Sequence, residues 1–496
     1  MKTAIFFLLI ILTITTSYAG EPPGNAGYNV KDFGAGGTGQ MLETQFIQQA
    51  IDACYQDGGG KVYFPAGTYL TGSLELKSNV ILYLDAGAVL KGSSNLADYK
   101  ETSYISESRN TSLIFAHNEK NIGITGNGTI DGNDDAFFNW NNIHPGCCFD
   151  PKYTRQGENY SNRFPDGPAA VKGKNPDIDR PGAMVTFIKC ENITISDIHV
   201  QGSPNWCLHF ACCDGVYIDK IDVRNSLLVP NADCIDASKC KNVFISNSYL
   251  EAGDDGIAIG TCADGYCSQV AENINVSNCT INSRSAGIRL GWSTDDIRNC
   301  VFQNLIIHSN RGIGIFTRHN ETIENIHFDN IIMHTRLHTG WWGNGEPVHI
   351  SEIPLGELHG ITSEGKSHSK IHNVRFTGLT ITGESGMLLY GFHPNSIKNI
   401  VFDGVSFQLK NSNLNEDFGG NFDLRPAFTD SLALFKHNIP AMFVKHVDGL
   451  KINNFNLQFD NDLPGYYKQN IQITGKGNIK TNGLEGTHVA GSFSVH

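Results

Sequence analysis

An all-β, right-handed parallel β-helix is the fold this sequence predicts, and three observations predict it. Short alternating apolar runs recur at spacings that cluster in the twenties: "NITISDIHV" from 192, "GVYIDKIDV" from 215, "NVFISNSYL" from 242, "NINVSNCTI" from 273, "NCVFQNLII" from 299, "NIHFDNIIM" from 325, "NVRFTGLTI" from 373 and "NIVFDGVSF" from 399. Period-two alternation with β-branched residues makes each run short strands and a turn. No long helical pattern separates the runs, so stacked coils fit better than a sandwich. Asn or Gly recurs at corresponding turns, where side-chain amides on neighbouring coils would form a hydrogen-bonded ladder.

The elements follow in order. The start, "MKTAIFFLLIILTITTSYAG", has a basic residue, an apolar run and small residues at Ser17 and Ala19. That is the pattern of a secretory signal peptide over residues 1–19, cut near Ala19, and it predicts a secreted or periplasmic protein. Residues 20–100 are read as an N-terminal cap and the first coils. Within them "TQFIQQAIDACYQDGGG" places Phe46, Ile47, Ala50, Ile51 and Cys54 on one stripe and ends in glycines, which predicts a short helix capping the open end of the solenoid. Residues 101–480 are read as the β-helix proper, with an Asn-, Pro- and aromatic-rich inserted loop near 134–182, and residues 481–496 as a tail.

Composition narrows the function. The 496 residues carry 53 Gly, 18% charged residues and a formal net charge of −13, as expected of a globular protein with a large core. The acidic balance and the lack of a basic stripe with interleaved aromatics argue against nucleic acid. After the leader, no stretch is long and apolar enough to span a bilayer. Of 13 cysteines, Cys190, Cys240, Cys279 and Cys300 sit in strand-like runs and read as small hydrophobes. "CADGYC" predicts a Cys262–Cys267 disulfide across a short Gly-containing loop. The histidines lack zinc-ligand spacing, so no metal and no cofactor are expected.

Chemistry concentrates in "PNADCID" and "EAGDDGIAIG". Asp233 precedes Asp254 by 21 positions, close to one coil, so the two are expected to stack. Gly253 would turn the chain at the strand edge, bringing Asp255 to the same surface. Three converging carboxylates suit glycosidic hydrolysis, which needs one protonated acid and one ionised base. Crowding raises one pKa and supplies the acid. The plain alternative for Asp-Asp-Gly is an ordinary turn or a fortuitous Ca²⁺ ligand.

From about residue 28 to about residue 460 the chain resembles glycoside hydrolase family 28, the polygalacturonase-like enzymes. The resemblance is carried by "NVKDFGAGGTG", "GGGKVYFPAGTYLTGSLELKSNVILYLDAGAVLKGS", "NITISDIHVQGSPNWCLH", "PNADCID" and "GDDGIAIG". It implies a pectin-degrading β-helix with Asp254 as general acid and Asp233 and Asp255 holding the attacking water. The family's Asn-Thr-Asp motif corresponds to Asn231, Ala232 and Asp233, which makes Asn231 a substrate-binding candidate. Two motifs depart from the pattern. The His of Gly-His-Gly corresponds to Ala286, and the two cations of Arg-Ile-Lys correspond to Gly314 and Phe316. The resemblance assigns those cations to a galacturonate carboxylate, so a standard endo-polygalacturonase is not expected. Arg289, Arg318 and His319 are candidates to supply charge from other positions, the alternative for each being a surface residue.

In "TRLHTGWWGNGEPVHI", Trp341 and Trp342 with Glu346 suggest a sugar platform, since the apolar face of a pyranose packs on indole; loop packing is the alternative. The leading expectation is therefore an inverting hydrolase of a pectic or related polysaccharide or oligosaccharide. A polysaccharide lyase would need bound Ca²⁺ or a basic proton abstractor beside the acids. A non-catalytic carbohydrate-binding solenoid would not need all three aspartates.

Overall fold

The computed structural model of the protein describes residues 27–106, 109–143, 169–173, 179–260, 267–337, 343–353, 369–412, 421–424, 434–467, 470–475, 477–486 and 494–495. Alternating apolar residues in each coil face one shared interior, and the result is the parallel β-helix that the sequence predicts. Among the described residues, thirteen parallel strands form one sheet in sequence order, from Leu74–Glu75 to Ser494–Val495. The other parallel strands form a 23-stranded sheet.

One coil shows the plan. Strands Lys241–Ser246 and Tyr249–Ala252 are separated by Asn247 at φ 51°, and Ile257–Ile259 follows after a tight turn. Asn tolerates this left-handed backbone better than other side-chain-bearing residues. Its amide then bonds to the next coil: Asn278 donates to Asn247, Asn304 to Asn278 and Asn330 to Asn304. A second ladder runs through Asn299, Asn325, Asn373 and Asn399. The recurrent Asn is thus selected twice, by backbone conformation and by stacking.

The interior is one apolar column. Phe302, Phe328, Phe376 and Phe402 are in register on four successive coils, fully buried and stacked at 4.9, 5.0 and 4.7 Å. Each such ring contributes about 1.5–3 kcal/mol by burial. Helix Thr44–Gln56 closes the N-terminal end, burying Ile47, Ala50, Ile51 and Cys54, with Phe46 half-buried at its edge. Strand Phe138–Ile143 leaves the coil to pair antiparallel with Ala169–Val171.

Cysteine chemistry differs in part from expectation. Cys190, Cys240, Cys279 and Cys300 are buried free thiols, as small hydrophobes should be. Cys267, however, is bonded to Cys212, 55 positions away with the Cα atoms 6.3 Å apart, and not to Cys262, which lies outside the described residues. Stacking brings Cys212, from an earlier coil, beside Cys267, and nearness along the chain is no guide to that contact.

Candidate active site

The acid cluster stands where two coils cross from one sheet to the other. Ile235–Ser238 pairs with Ile257–Ile259 with Ile235 beside Ile257, 22 positions on. The Cys234 N–H donates to the Asp255 carbonyl at 3.1 Å, and Gly253 N–H to the Ala232 carbonyl at 3.1 Å. Asp233 therefore stands level with Asp255, one position from the Asp254 stacking expected, and Asp254 is set beside the pair. Glycine is required on either side of the two acids. A Cβ on Gly253 would lie 2.1 Å from the Val229 carbonyl oxygen, and one on Gly256 2.3 Å from Ile281 Cγ2. The close approach of neighbouring coils thus explains the Gly-Asp-Asp-Gly pattern.

Asp233, Asp254 and Asp255 are each at least nine-tenths buried, and each offers an oxygen within 4.8 Å of the others. Asp255 is held most firmly. Its Oδ1 accepts from Ser285 Oγ at 2.7 Å and from the Ala286 N–H at 3.0 Å, and its Oδ2 accepts from Arg289 Nε. Arg289 Nη2 is also 4.0 Å from Asp233 Oδ2. Burial opposes the Arg289 charge, but Asp255 and Asp233 more than restore it and hold the guanidinium ionised. Asp233 Oδ1 is buried and, among the described residues, accepts no hydrogen bond.

These contacts raise the proton affinity of two of the acids. Burial first, then the Asp255 charge, pushes Asp254 up to about 7, while Ser285, Arg289 and the Asn231 N–H pull the other way. Asp233 is raised too, by burial and by Asp236, Asp254 and Asp255, against Arg289. Burial and crowding thus raise both Asp254 and Asp233, and Arg289 is the cation that opposes both shifts. Three carboxylates at this spacing would also suit a divalent cation, but Arg289 already supplies positive charge to two of them.

The other candidates separate. Asn231, in left-handed backbone at φ 57°, accepts from Arg180 Nη2 at 2.9 Å and lies against Asp254. Arg289 belongs to the acid cluster, and neither it nor Arg318 is a surface residue: they are 9% and 1% exposed. Arg318 Nη1 donates to the Ser351 carbonyl at 3.2 Å, and His319 is half-buried with its N–H bonded to Glu321. Glu346, expected to face a sugar, is fully buried; it accepts from the Asn344 N–H at 2.6 Å and lies 4.0 Å from Arg311 Nε. Trp341 and Trp342 lie outside the described residues.

Phe316, which stands where the resemblance places a cation, is fully buried over Gly314, where a Cβ would meet its ring at 2.6 Å. Arg311 and Arg318 lie 5.2 and 5.1 Å from the ring centroid, and His349 is edge-on at 5.0 Å. Burial, and then Arg311 and Arg318, push His349 well below its usual range.

Sequence reasoning missed two arginines. Ala286 is one coil beyond Asp255 and Arg311, in register with Ala286, is one coil further, so its signal was the strand pattern "NRGIGIF". Arg180, 4% exposed, donates from Nη1 to the carbonyls of Pro204 at 2.9 Å and Pro230 at 2.6 Å, pinning the loop that carries Asn231 and Asp233. It lies outside the alternating runs, where no periodicity marks it.

Residues 54–340 match the family model described as glycosyl hydrolases family 28. An exo-poly-alpha-D-galacturonosidase of Dickeya chrysanthemi is 30% identical over 321 residues, 60% of this chain and 52% of that protein. A probable polygalacturonase of Vitis vinifera is 30% identical over 248 residues, 47% of this chain and 44% of that protein. The chain thus spans about half the length of these relatives. The hyperthermoactive exopolygalacturonase of Thermotoga maritima superposes with a TM-score of 0.60 at 24% identity, over 77% of this chain and 86% of that one, a likeness of fold.

Proposed function

This chain belongs to the glycosyl hydrolases family 28, and on that premise we propose that it is an exported glycosidase that hydrolyses a galacturonate-containing pectic polysaccharide or oligosaccharide with inversion. One observation carries the reading: three buried carboxylates with oxygens within 4.8 Å of one another, served by the Arg289 cation. Asp254, still protonated near neutrality, gives its proton to the departing glycosidic oxygen. Water between Asp233 and Asp255 attacks the anomeric carbon as the C–O bond breaks. The proton it sheds passes to Asp233, whose Oδ1 takes no bond from the described residues. Asp254 ends ionised, and one proton moving within the cluster resets it.

Carboxyl separation does not carry the stereochemistry. Inverting pairs commonly stand about 6.5–9.5 Å apart and retaining pairs about 5–5.5 Å. Here the approach follows from adjacent coils, whose strands lie about 4.8 Å apart. Inversion is supported instead by the third carboxylate, which leaves two for the water. Proton NMR of the first-formed product tests it: the inverted anomer is expected, and a retained anomer refutes the mechanism. Export is tested by N-terminal sequencing of the protein recovered outside the cytoplasm, where a mature chain starting just after Ala19 is expected.

A further inference from the structure

We propose a second carbohydrate site, selective for a neutral sugar chain, on the face of the β-helix beside Trp140. A cavity of about 450 Å³ lies there. Its floor is one register column: Lys91 pairs with Asp131, Asp131 with Gln201, Gln201 with Arg224 and Arg224 with Glu251. Five outward polar side chains on successive coils, about 4.8 Å apart, make a straight polar strip suited to a linear ligand.

Trp140 stands at one side of this strip. It is 38% exposed, yet it is fixed: its indole stacks on Phe138 with centroids 5.7 Å apart, and Nε1 donates to Asp135 at 2.9 Å. Lys172 Nζ in turn holds the Asp135 carbonyl at 2.7 Å. A rigid, half-exposed indole over a polar cavity is the arrangement that takes a pyranose, with ring carbons on the indole and hydroxyls on the strip. Room for the hydroxyls comes from Gly202, where a Cβ would point between Asp131 Oδ1 at 3.0 Å and Asp134 Oδ1 at 3.1 Å.

Charge selects the ligand. Asp131, Asp134, Asp135 and Glu251 face the cavity against Lys91 and Arg224. Arg224 is bonded to Asp222 at 2.6 Å, and Lys91 is 3.9 Å from Asp131. The field is negative, so it repels a uronate and offers acceptors to the hydroxyls of an uncharged sugar. The site rests on the proposed function only for the class of ligand, carbohydrate.

Calorimetric titration of the Asp254→Asn protein tests it, with β-1,4-galactotetraose as probe and a galacturonate tetramer as comparison. Galactotetraose should bind saturably, Trp140→Ala should weaken it at least tenfold, and Trp140→Phe should retain most of the affinity. The galacturonate tetramer should be indifferent to either change. No binding of galactotetraose, equal binding by Trp140→Ala, or a tenfold loss for the galacturonate tetramer would each overturn the site. Activity surviving in Asp254→Asn would defeat the hydrolase mechanism and leave this binding result to be judged alone.

Discussion

Replacing Arg289 with Gln exposes the electrostatics of the acid cluster most directly. The guanidinium bonds to Asp255 and lies 4.0 Å from Asp233, and all three side chains are buried. A unit charge pair at 4 Å is worth about 4 kcal/mol at an effective dielectric near 20. Desolvation offsets much of this in the intact pair, but removing one partner leaves buried carboxylates uncompensated, at a cost of about 3–5 kcal/mol. The loss should depend on pH, and its sign is fixed. Without Arg289 the folded-state pKa of Asp233 rises further, since the guanidinium opposes its upward shift, so the folded protein binds more protons than the unfolded chain over a wider range. Stability then falls more steeply as pH rises above the unfolded carboxyl range. Arg289→Gln should therefore unfold at a much lower denaturant concentration than the parent at pH 8, and by a smaller margin at pH 5. Reducing-end release should fall at least a hundredfold at both. Equal denaturant midpoints at both pH values, together with more than a tenth of the parent kcat/KM, would refute the assignment of Arg289 as the anchor of the cluster.

Asp254→Asn should abolish turnover without unfolding the protein, and the parent's kcat/KM should decline as pH rises through about 7, where Asp254 loses the proton it must donate; near-normal activity in the variant sinks the mechanism. Polygalacturonate should be a poorer substrate than rhamnogalacturonan or a decorated pectin. Ala286, Gly314 and buried Phe316 stand where the family resemblance places carboxylate-binding groups, while Arg289 is committed to Asp255; a higher kcat/KM on polygalacturonate would show that other cations had taken over. Phe376→Ala should lower unfolding stability by about 3–5 kcal/mol, because a fully buried ring stacked on two neighbours leaves a cavity that rigid coils cannot close. A denaturant midpoint within error of the parent would contradict the stacked-column account.

What the sequence by itself determined is whatever depends on a local period. Alternation marked the strands, and the apolar stripe from Phe46 to Cys54 marked the capping helix. Recurrent Asn marked the turns, because its left-handed backbone and its amide ladder both recur once per coil. The pairing of Asp-Asp with an upstream Asp was visible too, since both lie within one strand-to-strand crossing of adjacent coils. The tertiary structure decided which residues meet across coils. Loop lengths differ from coil to coil: Ile235 lies beside Ile257, Ile257 beside Ile288, and Ile313 beside Val348. Average spacing therefore sets Asp233 against Asp254, whereas the real register sets it level with Asp255. The same variation joined Cys267 to Cys212, put Arg311 against Glu346, and let Arg180 reach the Asn231 loop from 51 positions upstream. Burial was beyond local pattern for the same reason. Phe316 reads in one dimension only as a missing cation, and the folded coils alone place Gly314 beneath its ring, two guanidiniums beside it and His349 edge-on to it.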